Sequence, residues 1–201
     1  QFAINSSRFI GMYNWDMHPE VLQKLRTINK EFYQRFGEAF AETRRRIQPG
    51  VARVLERYIH DGDWLDIGCG SGALSQAWIK HGLKGSYTGI DFSQPLLREA
   101  ERSLAAHVSG PEARIAFKRI DLMEENWCGN FSPGSFDGVL AFAVLHHVPG
   151  AGVREGLLRQ IAELIQPGGC FIHSEWQFQH SPKLVARIQP WGLVGLSQEG
   201  V

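Results

Sequence analysis

The chain has 201 residues, of which 43% are hydrophobic, enough for one sizeable core and too few for two ordinary domains. Its 21 basic and 21 acidic side chains cancel, so the overall charge does not indicate a nucleic-acid or membrane partner. Three widely separated cysteines show no metal-ligand spacing, which favours a reducing, cytoplasmic setting and no bound metal. No apolar run reaches the roughly 18 residues of a membrane-spanning helix.

The first part of the chain shows the apolar spacing of helices. Between His18 and Ile59, residues such as Val21 and Leu25 recur at intervals of three or four, with a break near Pro49-Gly50. We therefore predict that residues 1–60 form a helical lid within the same domain as the core, residues 61–201. Because the chain begins with Gln1 and ends soon after the last apparent strand, we expect that terminal segments are missing and that the core lacks its last strands.

From Trp64 onward, short apolar runs alternate with helical stretches. The runs that predict strands are WLDIG, SYTGID, RIAFKRID, FDGVLAFAV and CFIHSEW. Helical patterns occupy residues 73–81, 95–106 and 153–165, the last ended by Pro167-Gly168-Gly169, and residues 127–135 form an irregular insertion. This alternation predicts an α/β fold, with a mostly parallel sheet between two layers of helices in a three-layer αβα, Rossmann-like arrangement.

A glycine-rich turn follows the first predicted strand. Gly68 and Gly70 flank Cys69, and the missing side chains would let a ligand approach the backbone closely. The helix that begins beside this turn offers unpaired N–H groups and a partial positive charge, which suit a carboxylate or a phosphate. Gly68, Gly70 and Ala73 also satisfy the fingerprint of dinucleotide-binding folds, so the turn alone leaves the identity of the cofactor open.

Three aspartates lie at the ends of three consecutive predicted strands. Asp66 would oppose an anionic pyrophosphate but could bind the ammonium group of a methionine moiety, directly or through water. Asp91 can accept from two ribose hydroxyls, and Asp121 from an adenine amine, with Phe92 and Leu122 as apolar walls. Each aspartate alone could instead cap a helix or turn. Together, at one edge of the sheet where open α/β folds bind ligands, they are harder to explain as caps, and the charge of Asp66 favours S-adenosylmethionine over a dinucleotide.

These motifs resemble, between about Trp64 and Gln177, those of the class I S-adenosylmethionine-dependent methyltransferases. LDIGCGSG is similar to their first motif, GIDFS to the acidic motif, RIDL to the adenine segment, and FDGVLAFAVLHHV and LIQPGGCFI to the fourth strand and the turn into the fifth. The resemblance implies S-adenosyl-L-methionine as cofactor and S-adenosyl-L-homocysteine as product. It assigns Gly68, Cys69 and Gly70 to the methionine and ribose side, Asp91 to the ribose, Asp121 and Leu122 to the adenine, and Ala143 with Leu145 to the floor beneath the methyl group.

A narrower resemblance concerns the N-terminal segment. Phe32-Tyr33, Phe40 and Thr43-Arg44 are similar to the start of the tRNA wobble-uridine carboxymethyl methyltransferases, as is the later run AVLHH. This resemblance implies that the helical segment closes over the cofactor, with Tyr33 on it and Arg44 paired with the methionine carboxylate. It also implies a modified tRNA uridine as acceptor. Arg44 and the two arginines after it could instead form a solvated helix face.

The acceptor decides whether a catalytic base is needed. Methyl transfer from a sulfonium is an in-line displacement, so the protein must mainly align the reactants and exclude water. A carboxylate acceptor is already ionised, whereas a phenol, another hydroxyl or an amine would benefit from a base, for which His146 and His147 are the candidates. The alternative is that these histidines only stabilise a turn by hydrogen bonding.

The leading hypothesis is therefore a methyltransferase that acts on a tRNA or on a small molecule. A second hypothesis is an NAD-dependent oxidoreductase with the same glycine turn, although no hydride-transfer acid is recognisable. A third is a binding module without catalysis, against which the intact glycine turn and the three aspartates argue. The sequence does not indicate an oligomeric state.

Overall fold

A computed structural model of the protein describes residues 17–43, 47–106, 113–176 and 178–196. Within these ranges, helices come first and then alternate with strands. The strands are β1 (Gly62–Ile67), β2 (Gly85–Asp91), β3 (Ala113–Arg119), β4 (Phe136–Phe142) and β5 (Ile165–Ser174). The α-helices are α1 (Pro19–Thr43), α2 (Pro49–Tyr58), α3 (Ala73–Lys80), α4 (Gln94–Ala105), α5 (Ala151–Leu164) and α6 (Pro182–Val185).

The five strands form one sheet in the order β3-β2-β1-β4-β5, and every neighbouring pair is parallel. All five predicted strands are thus confirmed. The chain runs outward from β1 to β3 and then crosses to β4 on the other side of β1. In parallel sheets with this change of direction, ligands bind where the loops after the two central strands diverge, here those after β1 and β4.

Helices cover both faces of the sheet. Successive side chains of a strand point to opposite faces, so each face presents apolar side chains to one layer of helices. Leu65 and Ile67 of β1 pack on one face with Leu157 and Ile161 of α5. Trp64 lies on the opposite face, in a second buried cluster with residues of α2 and α3. This arrangement confirms the predicted three-layer αβα fold.

The N-terminal segment is helical as predicted, but its apolar residues are not all buried. In α1, Val21 is 7% exposed, whereas Phe32 and Phe36 are each 45% exposed. α1 packs against α4, where Gly37 lies close to Ser93. Helical spacing therefore identified the helix, but it did not identify which side faces the protein. Residues 1–16 of the predicted lid lie outside the described part of the chain.

The structure adds detail to one local prediction and corrects another. The insertion at 127–135 begins with a short 3-10 helix (Trp127–Asn130), and Trp127 is buried, with its indole N–H donating to Gln160 Oε1 at 2.7 Å. The glycine pair after Pro167 does not end the preceding helix. Instead, α5 ends at Leu164, and these residues belong to the start of β5, where the pairing with β4 shifts in register.

A stability prediction follows from the contact between β4 and the buried Trp64 ring. A Cβ added at Gly138 would lie 2.2 Å from Trp64 Cζ3, so Gly138→Ala should destabilise the fold by about 1 to 3 kcal/mol through overpacking. In the matched control, Gly156→Ala, the added methyl on α5 meets nothing within 4 Å, and the helix should gain about 0.5 to 1 kcal/mol. Urea unfolding of both variants measures the difference, and equal effects would contradict the packing described here.

Candidate active site

A cavity of about 340 Å³ opens at the carboxyl ends of the strands. Its wall is formed by α1, by the glycine turn after β1, and by the residues that follow β2, β3 and β4. This volume lies within the range of small-molecule and cofactor pockets in proteins. The position is the one expected from the sheet topology.

The two glycines that flank Cys69 have different surroundings, although both have positive φ angles, 68° at Gly68 and 55° at Gly70. A Cβ at Gly68 would lie 2.5 Å from Val144 Cγ2, whereas a Cβ at Gly70 would meet nothing within 4 Å. Gly68 therefore allows the turn to pack against the loop after β4. Gly70 leaves bare backbone beside the cavity, which both glycines and Cys69 line.

Asp91 links the glycine turn to the end of β2. Its carboxylate accepts hydrogen bonds from the backbone N–H groups of Gly70 (3.0 Å) and Ser93 (2.8 Å), and the residue is 8% exposed. Burial raises the pKa of Asp91 to about 6, and these hydrogen bonds oppose the rise, so the group is ionised at neutral pH. Each oxygen retains lone-pair capacity for the hydroxyls of a bound ligand. The ribose assignment itself stays a prediction.

Asp66 occupies a different place from the one the sequence suggested. It does not line the cavity but lies buried, 2% exposed, where the Tyr87 hydroxyl donates a hydrogen bond to its carboxylate. The alternation of β1 side chains explains this position, since Asp66 shares a face with Trp64 rather than with Leu65. Burial raises the pKa of Asp66 to about 7, against the effect of the Tyr87 hydrogen bond. Asp66 therefore links β1 to Tyr87 of β2.

Asp121 lies in the cavity wall with Phe92 and Leu122, but it already has partners on α1. Its Oδ2 atom lies 3.3 Å from Lys30 Nζ and 3.9 Å from Arg26 Nη2, while Oδ1 accepts from the Met123 backbone N–H at 3.0 Å. The carboxylate thus caps a turn, as one alternative expected, and also holds α1 over the cavity. An adenine amine would have to share or replace the Lys30 contact.

The loop after β4 separates two residues that the sequence grouped together. Ala143 lines the cavity with a positive φ of 57°, which is rare for a residue with a side chain. Leu145 does not line it, because the short 3-10 helix that begins there turns its side chain into the core, where it is 7% exposed. Val144 and Val148 line the cavity instead. Leu145 thus lies behind the cavity wall, and its assignment to the floor beneath the methyl group stays a prediction.

The two histidines also differ in position. His147 lines the cavity, and its Nε2 lies 3.1 Å from the Tyr33 hydroxyl, whose ring packs edge-on against Phe92. Burial lowers the pKa of His147 to about 4, with a further lowering by His146 and an opposing effect of Glu175. His147 is therefore neutral at pH 7. His146 does not line the cavity and bonds to Glu175.

The α1 residues of the wall were the main part of the site that sequence reasoning missed. Only Tyr33 was predicted there, and Arg44 lies outside the described residues. The available signal was a polar stripe at helical spacing, which continues the row that ends at Tyr33. Its members in the cavity wall are Gln23, Arg26, Thr27, Asn29 and Lys30.

The residues of the cavity fit the predicted cofactor. The open backbone at Gly70 lets a ligand approach without meeting a side chain. A buried, ionised Asp91 suits a pair of hydroxyls, and the neighbouring Phe92, Ile120 and Leu122 give an apolar surface for a flat ring. Fold and site together define a Rossmann-like protein that binds a nucleoside cofactor at the ends of its central strands.

Comparisons with known proteins identify the family. Residues 65–171, just over half of the chain, match the methyltransferase domain family. The chain belongs to this family and is a class I S-adenosylmethionine-dependent methyltransferase. The predictions of enzyme class and of S-adenosyl-L-methionine as cofactor are thereby confirmed, and the dinucleotide alternative is set aside.

Individual relatives are similar over part of their length. A ubiquinone biosynthesis O-methyltransferase from Ralstonia nicotianae is 36% identical over 106 residues, which cover 52% of this chain and 39% of that protein. A solved SAM-dependent methyltransferase from Methanosarcina mazei has a TM-score of 0.57 at 24% identity, over 74% of this chain and 68% of that one. A phosphoethanolamine N-methyltransferase from Haemonchus contortus was solved with phosphoethanolamine and S-adenosylhomocysteine. It has a TM-score of 0.60 at 14% identity, and the match covers 77% of this chain and 33% of that one. These two structures share the fold.

Two further features concern possible partners. In the described ranges, no helix combines the length and the apolar character needed to cross a membrane. Over the same part of the chain, no group of three or more His, Cys, Asp or Glu side chains is arranged to hold a metal ion. The cytoplasmic setting and the tRNA acceptor stay predictions.

The two glycines give a matched test of the site. Gly68→Ala should lower the free energy of unfolding by about 2 to 4 kcal/mol, because the new methyl adds a clash with Val144 to the strain of a positive φ. Gly70→Ala should destabilise by only about 1 to 2 kcal/mol but weaken S-adenosylhomocysteine binding about tenfold. Denaturant unfolding and calorimetric titration measure both quantities. Parent-like affinity in Gly70→Ala would mean that the cofactor does not approach this backbone.

Proposed function

We propose that this protein transfers the methyl group of S-adenosylmethionine to the oxygen of a phenolic hydroxyl on a small molecule. The observation that carries the proposal is the neutral imidazole of His147 in the cavity wall, 3.1 Å from the Tyr33 hydroxyl. A neutral imidazole can take a proton from an acceptor, and a protonated one cannot. The lowered pKa of His147 keeps its imidazole neutral across the neutral range, and it also makes the imidazole a weaker base than an exposed histidine.

The base narrows the class of acceptor. A phenol has a pKa of about 10, so at neutral pH it keeps its proton and gains from a base beside the reacting oxygen. The surroundings of His147 suit an aromatic molecule, since Tyr33 and Phe92 present ring edges and faces next to the apolar Val148. An acceptor of this class would bind between α1 and the loop after β4.

Different residues of the chain would carry out different parts of the reaction. When bound, the cofactor supplies an electrophilic methyl group on a sulfonium. Asp91 and the backbone at Gly70 would hold its ribose and methionine portions, and α1 would cover the cavity and exclude water. With Tyr33 as donor in the hydrogen bond to His147, Nε2 carries the single lone pair of the ring. The acceptor hydroxyl would replace Tyr33 as the donor to this lone pair, and its proton would then go to Nε2.

The curated relative supports transfer to oxygen. The Ralstonia protein is named an O-methyltransferase, and its similarity to this chain extends over 106 residues. The match covers only 39% of that protein. The acceptor proposed for this chain therefore rests on the residues of its own cavity. The carboxylate of a tRNA wobble uridine is the competing hypothesis, and it requires no base.

A comparison of histidine variants tests the proposal, with catechol as acceptor. His147→Ala should lower kcat about 100-fold, because the proton of the hydroxyl loses its base. In the parent, a protonated His147 is inactive, so at saturating S-adenosylmethionine kcat should rise as the pH increases through about 4. Protonation of Asp91 near pH 6 should appear in the KM for the cofactor instead. Methyl transfer from labelled S-adenosylmethionine gives the rates.

His81→Ala, at the exposed end of α3, serves as the control and should keep the parent rate. Equal rates for His147→Ala and the parent would contradict the base role. Transfer to hypomodified tRNA but not to catechol would favour the competing acceptor.

A further inference from the structure

Glu175 lies directly after β5, next to the loop that carries the two histidines. Its Oε2 atom lies 3.0 Å from the backbone N of His146 and 3.0 Å from the Nδ1 atom of the same residue. One carboxylate oxygen therefore binds both the main chain and the ring of His146. Glu175 is 32% exposed and His146 18%, so this contact is partly shielded from water.

The His146 ring passes this restraint on to His147. The two ring centroids are 4.2 Å apart, with planes inclined at 42°. On another side, His147 meets the Tyr33 ring edge-on at 5.5 Å, in addition to the contact between Nε2 and the hydroxyl. The imidazole that lines the cavity is thus held between Tyr33 and a ring that Glu175 fixes.

The backbone of this loop is tied to the same place. Ala143, with its positive φ, donates its N–H to the carbonyl of Ser174 at 2.9 Å and lies 3.3 Å from the Ser174 hydroxyl. A residue with a side chain keeps such a φ only when its surroundings hold it there. Ser174 and Glu175 therefore anchor the loop at both Ala143 and His146.

The charges around His147 also involve Glu175. Among the described residues, the titratable groups that contact His147 or act on its charge are Tyr33 on α1, His146 in the same loop and Glu175 after β5. The other oxygen of Glu175, Oε1, lies 3.6 Å from His173 Nδ1 on β5, and Arg154 on α5 donates to the Val148 carbonyl at 2.7 Å. Among these groups, His146 disfavours a positive charge on His147, whereas the Glu175 carboxylate favours it. A base that gains a proton during the reaction needs such a counter-charge.

We propose that Glu175 is a positioning residue, which orients His147 through His146 and balances the positive charge that His147 gains from the acceptor. This inference rests on the proposed function. In the step concerned, the proton of the acceptor hydroxyl moves to His147 Nε2. The oxygen keeps the electron pair of the O–H bond and forms the bond to the methyl carbon as the carbon–sulfur bond breaks, and the sulfur keeps that second pair.

The first test uses the cofactor-free protein. Nitrogen NMR of the imidazoles across a pH series gives the titration midpoint of His147. Glu175→Gln keeps the shape of the side chain but removes its charge, so this midpoint should fall below that of the parent. Glu155→Gln, which removes an exposed carboxylate on α5, should leave it unchanged. An unchanged midpoint in Glu175→Gln would overturn the proposal whatever the activity.

The second test measures transfer from S-adenosylmethionine to catechol. Glu175→Ala should lower kcat about tenfold and Glu175→Gln by less, each with a KM for the cofactor within about twofold of the parent value. In a His147→Ala background, the Glu175 changes should have no further effect, because their action passes through His147. If Glu175→Ala does not fold, Glu175→Gln decides the test.

The outcomes separate this inference from the proposed function. Loss of rate in His147→Ala, together with a parent-like rate and midpoint in the Glu175 variants, would overturn only the role of Glu175. An unchanged rate in His147→Ala would show that His147 is not the base. In that case, the titration midpoint of His147 in the cofactor-free protein would still show whether Glu175 acts on His147. An additive loss in the double variant would also overturn the proposal.

Discussion

The carboxylate of Asp91 joins the two loops on which the cofactor site depends. It accepts hydrogen bonds from Gly70, in the turn after β1, and from Ser93, at the start of α4. These bonds fix the open backbone of the turn relative to the end of β2, and the ionised group remains at the cavity wall. Between β1 and β2, Asp66 and Tyr87 form a buried hydrogen bond. Ligand binding and the local fold therefore share one set of polar contacts.

The rest of the site is held by contacts between distant segments. Asp121 pairs with Lys30 and brings α1 over the cavity, while Tyr33 on the same helix reaches His147. A helix attached in this way shields the cavity from water and places side chains beside the reacting groups. Lys30 contacts the Oδ2 atom of Asp121, so the carboxylate that is predicted to bind the adenine also helps to hold α1.

Much of the fold follows from local sequence patterns. The five strands are short apolar runs bounded by turns, and the glycine spacing and strand-end position of Asp91 pointed to residues that line the cavity. Local patterns do not give the orientation of a side chain where that orientation depends on tertiary structure. Asp66 falls on the face of β1 that meets Tyr87, and Leu145 turns inward at the start of a 3-10 helix. Similarly, the polar stripe of α1 belongs to the site only because tertiary packing places this helix over the cavity.

Calorimetry tests most directly whether this cavity binds S-adenosylmethionine. In calorimetric titrations of the protein with S-adenosylmethionine, S-adenosylhomocysteine and NADH, we expect the first two to bind with dissociation constants on the order of micromolar. NADH should not bind, because the cavity is that of a class I methyltransferase. Binding of NADH alone, or of none of the three ligands, would contradict the assignment of this cavity to S-adenosylmethionine.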